Sequence, residues 1–252
     1  MRPPHAAVAV ALVGLVALSG CLGFGGSPPS DPGAEAVIDS AADASSSVET
    51  YRYSLDIRVV ASDGEETRTI SMNADGAVNR ASDTMRADLS YQGRERSTYV
   101  TGSTAYTECE SPWGWGRENL STSTDWESKD TLGRQVDMLD NSPVYWVENE
   151  TIDGESVHVV EARPSGETLS KYSERRTGGV FGPGIEDATL TAWVVEDSGR
   201  LVKTELEFTV TEGGGSADAT MTTRFTDYGA NVTISIPDEA TEDPHRLGCP
   251  GS

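Results

Sequence analysis

The spacing of apolar residues changes along this chain, and each change of period marks a predicted element. Val37, Ile38, Ala41, Ala44 and Val48 fall on one face at helical spacing, behind the start punctuation Asp31-Pro32-Gly33, and predict a helix opening at Ala34. From Tyr51 the period drops to two. Tyr51, Tyr53, Leu55, Ile57 and Val59 alternate with Arg52, Ser54, Asp56 and Arg58, the pattern of a half-buried strand. Asp63-Gly64 is a hairpin signal. Strands over 67–78, 85–91, 95–101 and 105–109 follow, parted at Gly93 and Gly102-Ser103. Short strands joined by tight turns predict an antiparallel meander.

The middle of the chain reads differently. Ser111-Pro-Trp-Gly-Trp-Gly116 is an aromatic loop, and a polar stretch with Trp126 leads to a short helix over 129–139. Segments 144–150 and 155–162 form a hairpin across Asp153-Gly154, and 168–176 reads as another short helix. Residues 177–184 are glycine-rich and carry Val180 and Phe181 between the glycines. Four strands follow, over 188–195, 201–211, 219–228 and 232–236. The tail, 239–252, is acidic and expected to be irregular. The fold class is therefore α+β: an antiparallel sheet with an N-terminal helix and short helices on one face.

The N-terminus sets an address. Arg2 and His5 precede an unbroken small-apolar run from Ala6 to Ala17, too short to span a bilayer and laid out as a secretion signal. Leu18-Ser19-Gly20-Cys21 matches the lipobox of exported lipoproteins, so residues 1–20 read as a signal peptide and Cys21 as the lipidated residue. There is no twin-arginine pair, which points to the general secretory route. Residues 21–33 are Gly, Pro and Ser punctuation, a linker that lets a domain over 34–238 stand up to roughly 40 Å from the headgroups. The expected location is the extracytoplasmic face of the cell membrane, held through the lipid on Cys21.

Charge narrows the partners. The chain has a formal charge of -22, and loss of Arg2 with the leader makes it more negative still. Phosphate binding needs clustered Lys and Arg, so no nucleic-acid partner is expected. Acids interspersed with β-branched and aromatic residues indicate a folded domain with a strongly hydrated surface rather than an acidic coil. Lysines are confined to Lys129, Lys171 and Lys203, the acid-rich, Lys-poor composition of proteins from salt-loving archaea.

With Cys21 lipidated, Cys109 and Cys249 remain, an even pair that in an exported chain reads as a disulfide or as two separate thiols. Asn119-Leu-Ser, Asn149-Glu-Thr and Asn231-Val-Thr are glycosylation acceptors. No nucleophile elbow, HExxH, P-loop or dinucleotide fingerprint is present, so no enzyme activity and no cofactor is expected. His158 sits in a strand between Val157 and Val159, and His245 lies in the tail. Glu196-Asp197 and Asp137 with Asp140 lack the ligand density of a calcium loop, so no metal is expected.

The order helix, meander, two-helix interruption and more strands resembles the LolA/LolB and LppX/LprG lipoprotein superfamily, and in particular haloarchaeal lipoproteins of that type. The resemblance runs over about residues 34–238. It rests on Tyr51-Arg-Tyr-Ser-Leu-Asp-Ile-Arg, Thr104-Ala-Tyr106, Thr151-Ile-Asp-Gly-Glu-Ser-Val-His-Val, Trp193-Val-Val-Glu-Asp-Ser-Gly-Arg-Leu-Val-Lys203 and Phe225-Thr-Asp-Tyr-Gly with Val232-Thr-Ile-Ser-Ile-Pro237. It implies a curved half-barrel sheet wrapped round helices, with an apolar cavity for acyl chains on the concave face. Tyr53, Leu55 and Ile57 then line that cavity. Trp113 and Trp115 rim its mouth or touch headgroups, or else fold back as core. Val180 and Phe181 form a movable flap or a plain crossover. The expected protein is a monomeric, non-catalytic carrier or sensor of a lipid-like ligand; the alternative is an envelope structural or interaction lipoprotein with a solid core.

Overall fold

The computed structural model describes residues 29–62, 66–120, 126, 129–173, 185–212 and 215–250. Cys21, Val180 and Phe181 lie outside them. Helix α1 spans Pro32–Ser46. Asp31 caps it by accepting the Gly33 N–H at 2.8 Å, Pro32 supplies a fixed first-turn φ, and Ala34, Val37, Ile38 and Ala41 are buried. The helix stops at Ser47, so Val48 packs on the core from the turn beyond it.

Eleven described strands follow: β1 (Thr50–Ser62), β2 (Thr67–Asn79), β3 (Thr84–Tyr91), β4 (Arg94–Thr101), β5 (Thr104–Glu108), β6 (Trp115–Asn119), β7 (Val144–Ile152), β8 (Glu155–Ala162), β9 (Ile185–Val195), β10 (Leu201–Glu212) and β11 (Gly215–Thr226). They form one open antiparallel sheet in the order β6-β5-β4-β3-β2-β1-β11-β10-β9-β8-β7. The first six strands step outward from β1. The last five start at the opposite edge and step back until β11 docks beside β1. Helix α2 (Thr131–Asp140) separates the two halves, α3 (Gly166–Ser173) lies between β8 and β9, and α1 packs on α2 and on β7 and β8.

Three expectations need correction. The second half of the aromatic loop is strand β6, because Trp115 to Asn119 pair with β5. Residues 232–236 form no strand: both edges of β1 are already taken by β2 and β11, and the segment finds no free edge there. It is tied instead by Asn79, whose Nδ2 donates to the Val232 carbonyl at 2.9 Å. The tail holds a short helix, α4 (Asp238–Glu242), and then pairs with β6. His245 N–H donates to Trp115 O at 2.8 Å, and Arg117 N–H donates to His245 O at 2.7 Å. Cys109 and Cys249 form a disulfide that holds the tail there, closing a loop of 140 residues. Gly116 permits the approach, since a Cβ would stand 2.6 Å from the Gly248 carbonyl carbon.

One apolar core lies between the helices and the sheet. A smaller cluster, Val157, Val159, Trp193 and Val195, occupies the opposite face. There Lys203 Nζ sits 3.8 Å from the Trp193 ring centre, and the indole N–H donates to Glu150 at 3.0 Å.

A buried polar network fixes the helices to the sheet. Tyr51, on β1, is fully buried; its hydroxyl donates to Asp130 Oδ1 at 2.5 Å and accepts the Leu132 N–H at 3.0 Å. Asp130 caps α2 through the Gly133 N–H and pairs with Arg80 Nη2 at 2.6 Å. Arg80, following β2, donates through Nη1 to the carbonyls of Ser45 and Val48 where α1 ends. Burial pushes the Tyr51 hydroxyl pKa well above the usual phenol range, and the Asp130 carboxylate adds to the rise.

Asp130→Ala strands the Arg80 charge and is expected to cost about 3 kcal/mol in urea unfolding; Tyr51→Phe costs about 1–2. Because the folded-state pKa of Tyr51 lies above its unfolded value near pH 10, its contribution is present below about pH 10 and lost as pH rises through the folded value. Unfolding followed across alkaline pH should therefore show a shallower stability loss in Tyr51→Phe than in the parent.

Candidate apolar binding face

Register aligns apolar residues into rows across the middle of the sheet. Tyr91, Met72, Ile57, Met221, Leu206 and Leu190 form one row through successive pairings. Ile70, Val59, Ala219 and Phe208 form the next, and Leu89, Ala74 and Leu55 another. Alternation places all of them on the face that also carries Tyr51 and Tyr53. The rows are unevenly covered. On β9 and β10, Leu190, Leu206 and Phe208 are buried, whereas Leu55, Ile57, Val59, Ile70, Met72 and Met221 on β1, β2 and β11 are half-buried and Leu89 is 37 % exposed. Helices α1 and α2 contact each other and, through α1, β7 and β8, and they meet β1 and β2 at the Tyr51 and Arg80 end.

Past Val59 the face ends in a shallow, solvent-open depression of about 360 Å³ lined by Ala61, Val210 and Ala217, with Glu66 and Arg68 beside them. Arg68 pairs with Glu66 at 3.2 Å, so the polar groups at this end are partnered. Ser30 and Asp31 approach the far edge of the sheet: Asp31 N–H donates to the carbonyl of Val144, the first residue of β7. Pairing through β8, β9, β10 and β11 puts Val144 level with the Ile57 row, short of the depression at Ala61.

The predicted lining residues Tyr53, Leu55 and Ile57 share this face. Tyr53 is buried, and its ring lies over Gly76, where a Cβ would meet the ring carbons at 2.1 Å. The two predicted rim tryptophans sit elsewhere. Trp113 is 49 % exposed and stacks edge-on against His245 at 5.7 Å, near the disulfide. Trp115 packs at 5.9 Å from Tyr99, whose strand neighbour Val100 points into the main core, so both rings lie on the opposite face. Asn119, Asn149 and Asn231 are exposed. His158 contacts Asn149, at 3.0 Å from Nδ1 to Oδ1, and the Trp146 ring at 4.8 Å. Among the described residues no group of three or more His, Cys, Asp or Glu is placed to hold a metal, and no helix is long and apolar enough to cross a membrane.

Met72, Met221 and Ile70 escaped sequence reasoning as site residues. Their strands are visible as alternation, but which apolar positions share a row with Ile57 depends on register, and register is a tertiary property.

Two solved structures share this fold. Lipoprotein LppX of Mycobacterium tuberculosis superposes with a TM-score of 0.54 at 16 % identity, over 82 % of this chain and 100 % of that one. LprF of Mycobacterium bovis superposes with a TM-score of 0.50 at 14 % identity, over 83 % and 99 %. The likeness is one of fold. No protein-family model matches the chain, and no curated protein matches it in sequence.

Gly76→Ala forces the Tyr53 ring off the sheet. It should lower stability by about 1–3 kcal/mol, read by thermal or urea unfolding, and the loss should shrink when Tyr53→Ala is added.

Proposed function

We propose that the protein is a lipid-anchored, extracytoplasmic carrier or sensor of an apolar, lipid-like ligand, with no catalytic role. The observation that carries this reading is the half-buried apolar stripe on β1, β2 and β11. It continues from Leu55 through Ile57 and Met221 to the depression at Ala61, Val210 and Ala217. Apolar side chains on a face with little helix cover supply affinity by surface burial, about 25 cal/mol per Å² before the costs of association. An acyl or isoprenoid chain lying along the stripe needs no hydrogen-bond partner from the wall, and the wall has few to offer.

The fold shared with LppX and LprF supports the reading. The leader over 1–20, the lipobox and the 21–33 linker belong to the same proposal, as do the half-barrel curvature and the salt-loving source. The solid-core structural lipoprotein also has one observation in its favour, since β9 and β10 fill their side of the face with Leu190, Leu206 and Phe208.

The two readings differ in what co-purifies. Protein extracted from membranes and treated with organic solvent should release a lipid detectable by mass spectrometry; repeated recovery of none favours the solid core. Ile57→Asp places a charge in the middle of the stripe and should weaken binding of a hydrophobic fluorescent probe at least tenfold while unfolding stays cooperative. A probe affinity unchanged by Ile57→Asp places the ligand elsewhere. For the anchor, Cys21→Ser is expected to leave the protein unprocessed or shed into the medium, and a processed, membrane-bound variant overturns the lipobox assignment.

A further inference from the structure

The open edge of the sheet carries a second site. β7 is a terminal strand, and Ser30 and Asp31 reach its free side at Val144. Beyond that point Trp146 and Val147 are 38 % and 48 % exposed. Exposed apolar edges template pairing with other chains, and proteins cover or interrupt them. β7 is interrupted by a bulge: the partner of Trp146 is Val160 and the partner of Glu148 is Val159, which leaves Val147 as the extra residue.

The bulge has a chemical consequence. In a regular strand, residues three apart face opposite sides; with one extra residue between them, Trp146 and Asn149 face the same side. His158 sits between the two. Its ring lies 4.8 Å from the Trp146 ring, and with the proton on Nδ1 it donates to Asn149 Oδ1 at 3.0 Å. That bond engages the amide oxygen and not the nitrogen. Asn149, Glu150 and Thr151 are all exposed and form an Asn-x-Thr acceptor triplet. Of the other two triplets, Asn119 ends β6, whose edge the tail already covers, and Asn231 lies in the chain between β11 and α4.

We propose that Asn149 carries an N-linked saccharide whose first sugar packs on the Trp146 ring and closes the β7 edge. The inference rests on the exported location proposed above. The step joins Asn149 Nδ2 to the anomeric carbon of a saccharide donated from a lipid-linked phosphate. The anomeric C–O bond breaks, the phosphate-bearing carrier leaves with the bonding pair, and one Nδ2 proton passes to base. The apolar C–H face of the sugar then meets the negative face of the indole, and the bulk of the glycan blocks a further strand.

The test uses the full chain extracted from membranes of its native host, digested and read by glycopeptide mass spectrometry. The peptide holding Asn149 is expected to carry a saccharide mass that disappears in Thr151→Ala. The same digest shows whether the mature chain begins at Cys21. An unmodified Asn149 on a processed chain overturns this inference alone; on an unprocessed chain it overturns the export reading too. The packing is read separately by thermal unfolding of Thr151→Ala, Trp146→Ala and the double variant. Loss of the glycan should lower Tm by about 2–4 °C with Trp146 present and by less than half of that without it. Equal shifts in both backgrounds overturn the contact with Trp146.

Discussion

The ion pair between Arg80 and Asp130 is the constraint on which the arrangement of helices and sheet depends. Asp130 stands at the start of α2 and Arg80 just past the end of β2, and the pair is largely shielded from water. Each partner has further duties. Arg80 donates to the carbonyls of Ser45 and Val48 where α1 ends, and Asp130 accepts both an α2 amide and the buried Tyr51 hydroxyl. A buried pair of this kind adds little net stability over an apolar substitute, but losing one partner leaves a charge without water or counter-ion. Its contribution is to geometry: it ties the end of α1, the start of α2 and strand β1 to one another.

That geometry decides what the sheet leaves open. With α1 held over β7 and β8 and against α2, the helices cover one side of the face, while β1, β2 and β11 extend beyond them. The stripe from Leu55 to the depression at Ala61 is therefore a consequence of where the helices are fastened, as much as of which residues line it. The aromatic group around Tyr51, with Tyr53, Phe225 and Tyr228 at ring distances of 6.0–6.4 Å, fills the space between the pinned helices and the strands.

An eleven-stranded sheet that does not close has two edges to manage, and they are managed differently. At β6 the returning tail adds backbone hydrogen bonds and is held by the Cys109–Cys249 bridge. At β7 the approach to α1 covers the first residue, and further along the strand stand a bulge, exposed acids at Glu148 and Glu150, and Asn149. An acidic surface also discourages self-pairing through like-charge repulsion.

Local physical chemistry made most of the elements readable. The heptad-like face of Val37, Ile38 and Ala41, the alternation from Tyr51 to Val59 and the turn residues Asp153-Gly154 report on themselves within a few positions, because helical and strand periods are set by backbone geometry. Segment 232–236 alternates equally well and forms no strand, since strand formation needs a partner edge, and whether one is vacant is decided elsewhere in the chain. Trp115 shows the same limit: the aromatic loop was legible, but its pairing with β5 and its face were not. Cys109 and Cys249 were recognisable as a pair, and only the fold brings their Cα atoms to 5.3 Å. By itself the sequence determined the elements, the acidic surface and the residues eligible for chemistry. The tertiary structure decided the register that aligns Ile57 with Met221, the burial of Arg80 against Asp130 and the edges left open. These depend on contacts between residues far apart in the chain, for which no local pattern exists.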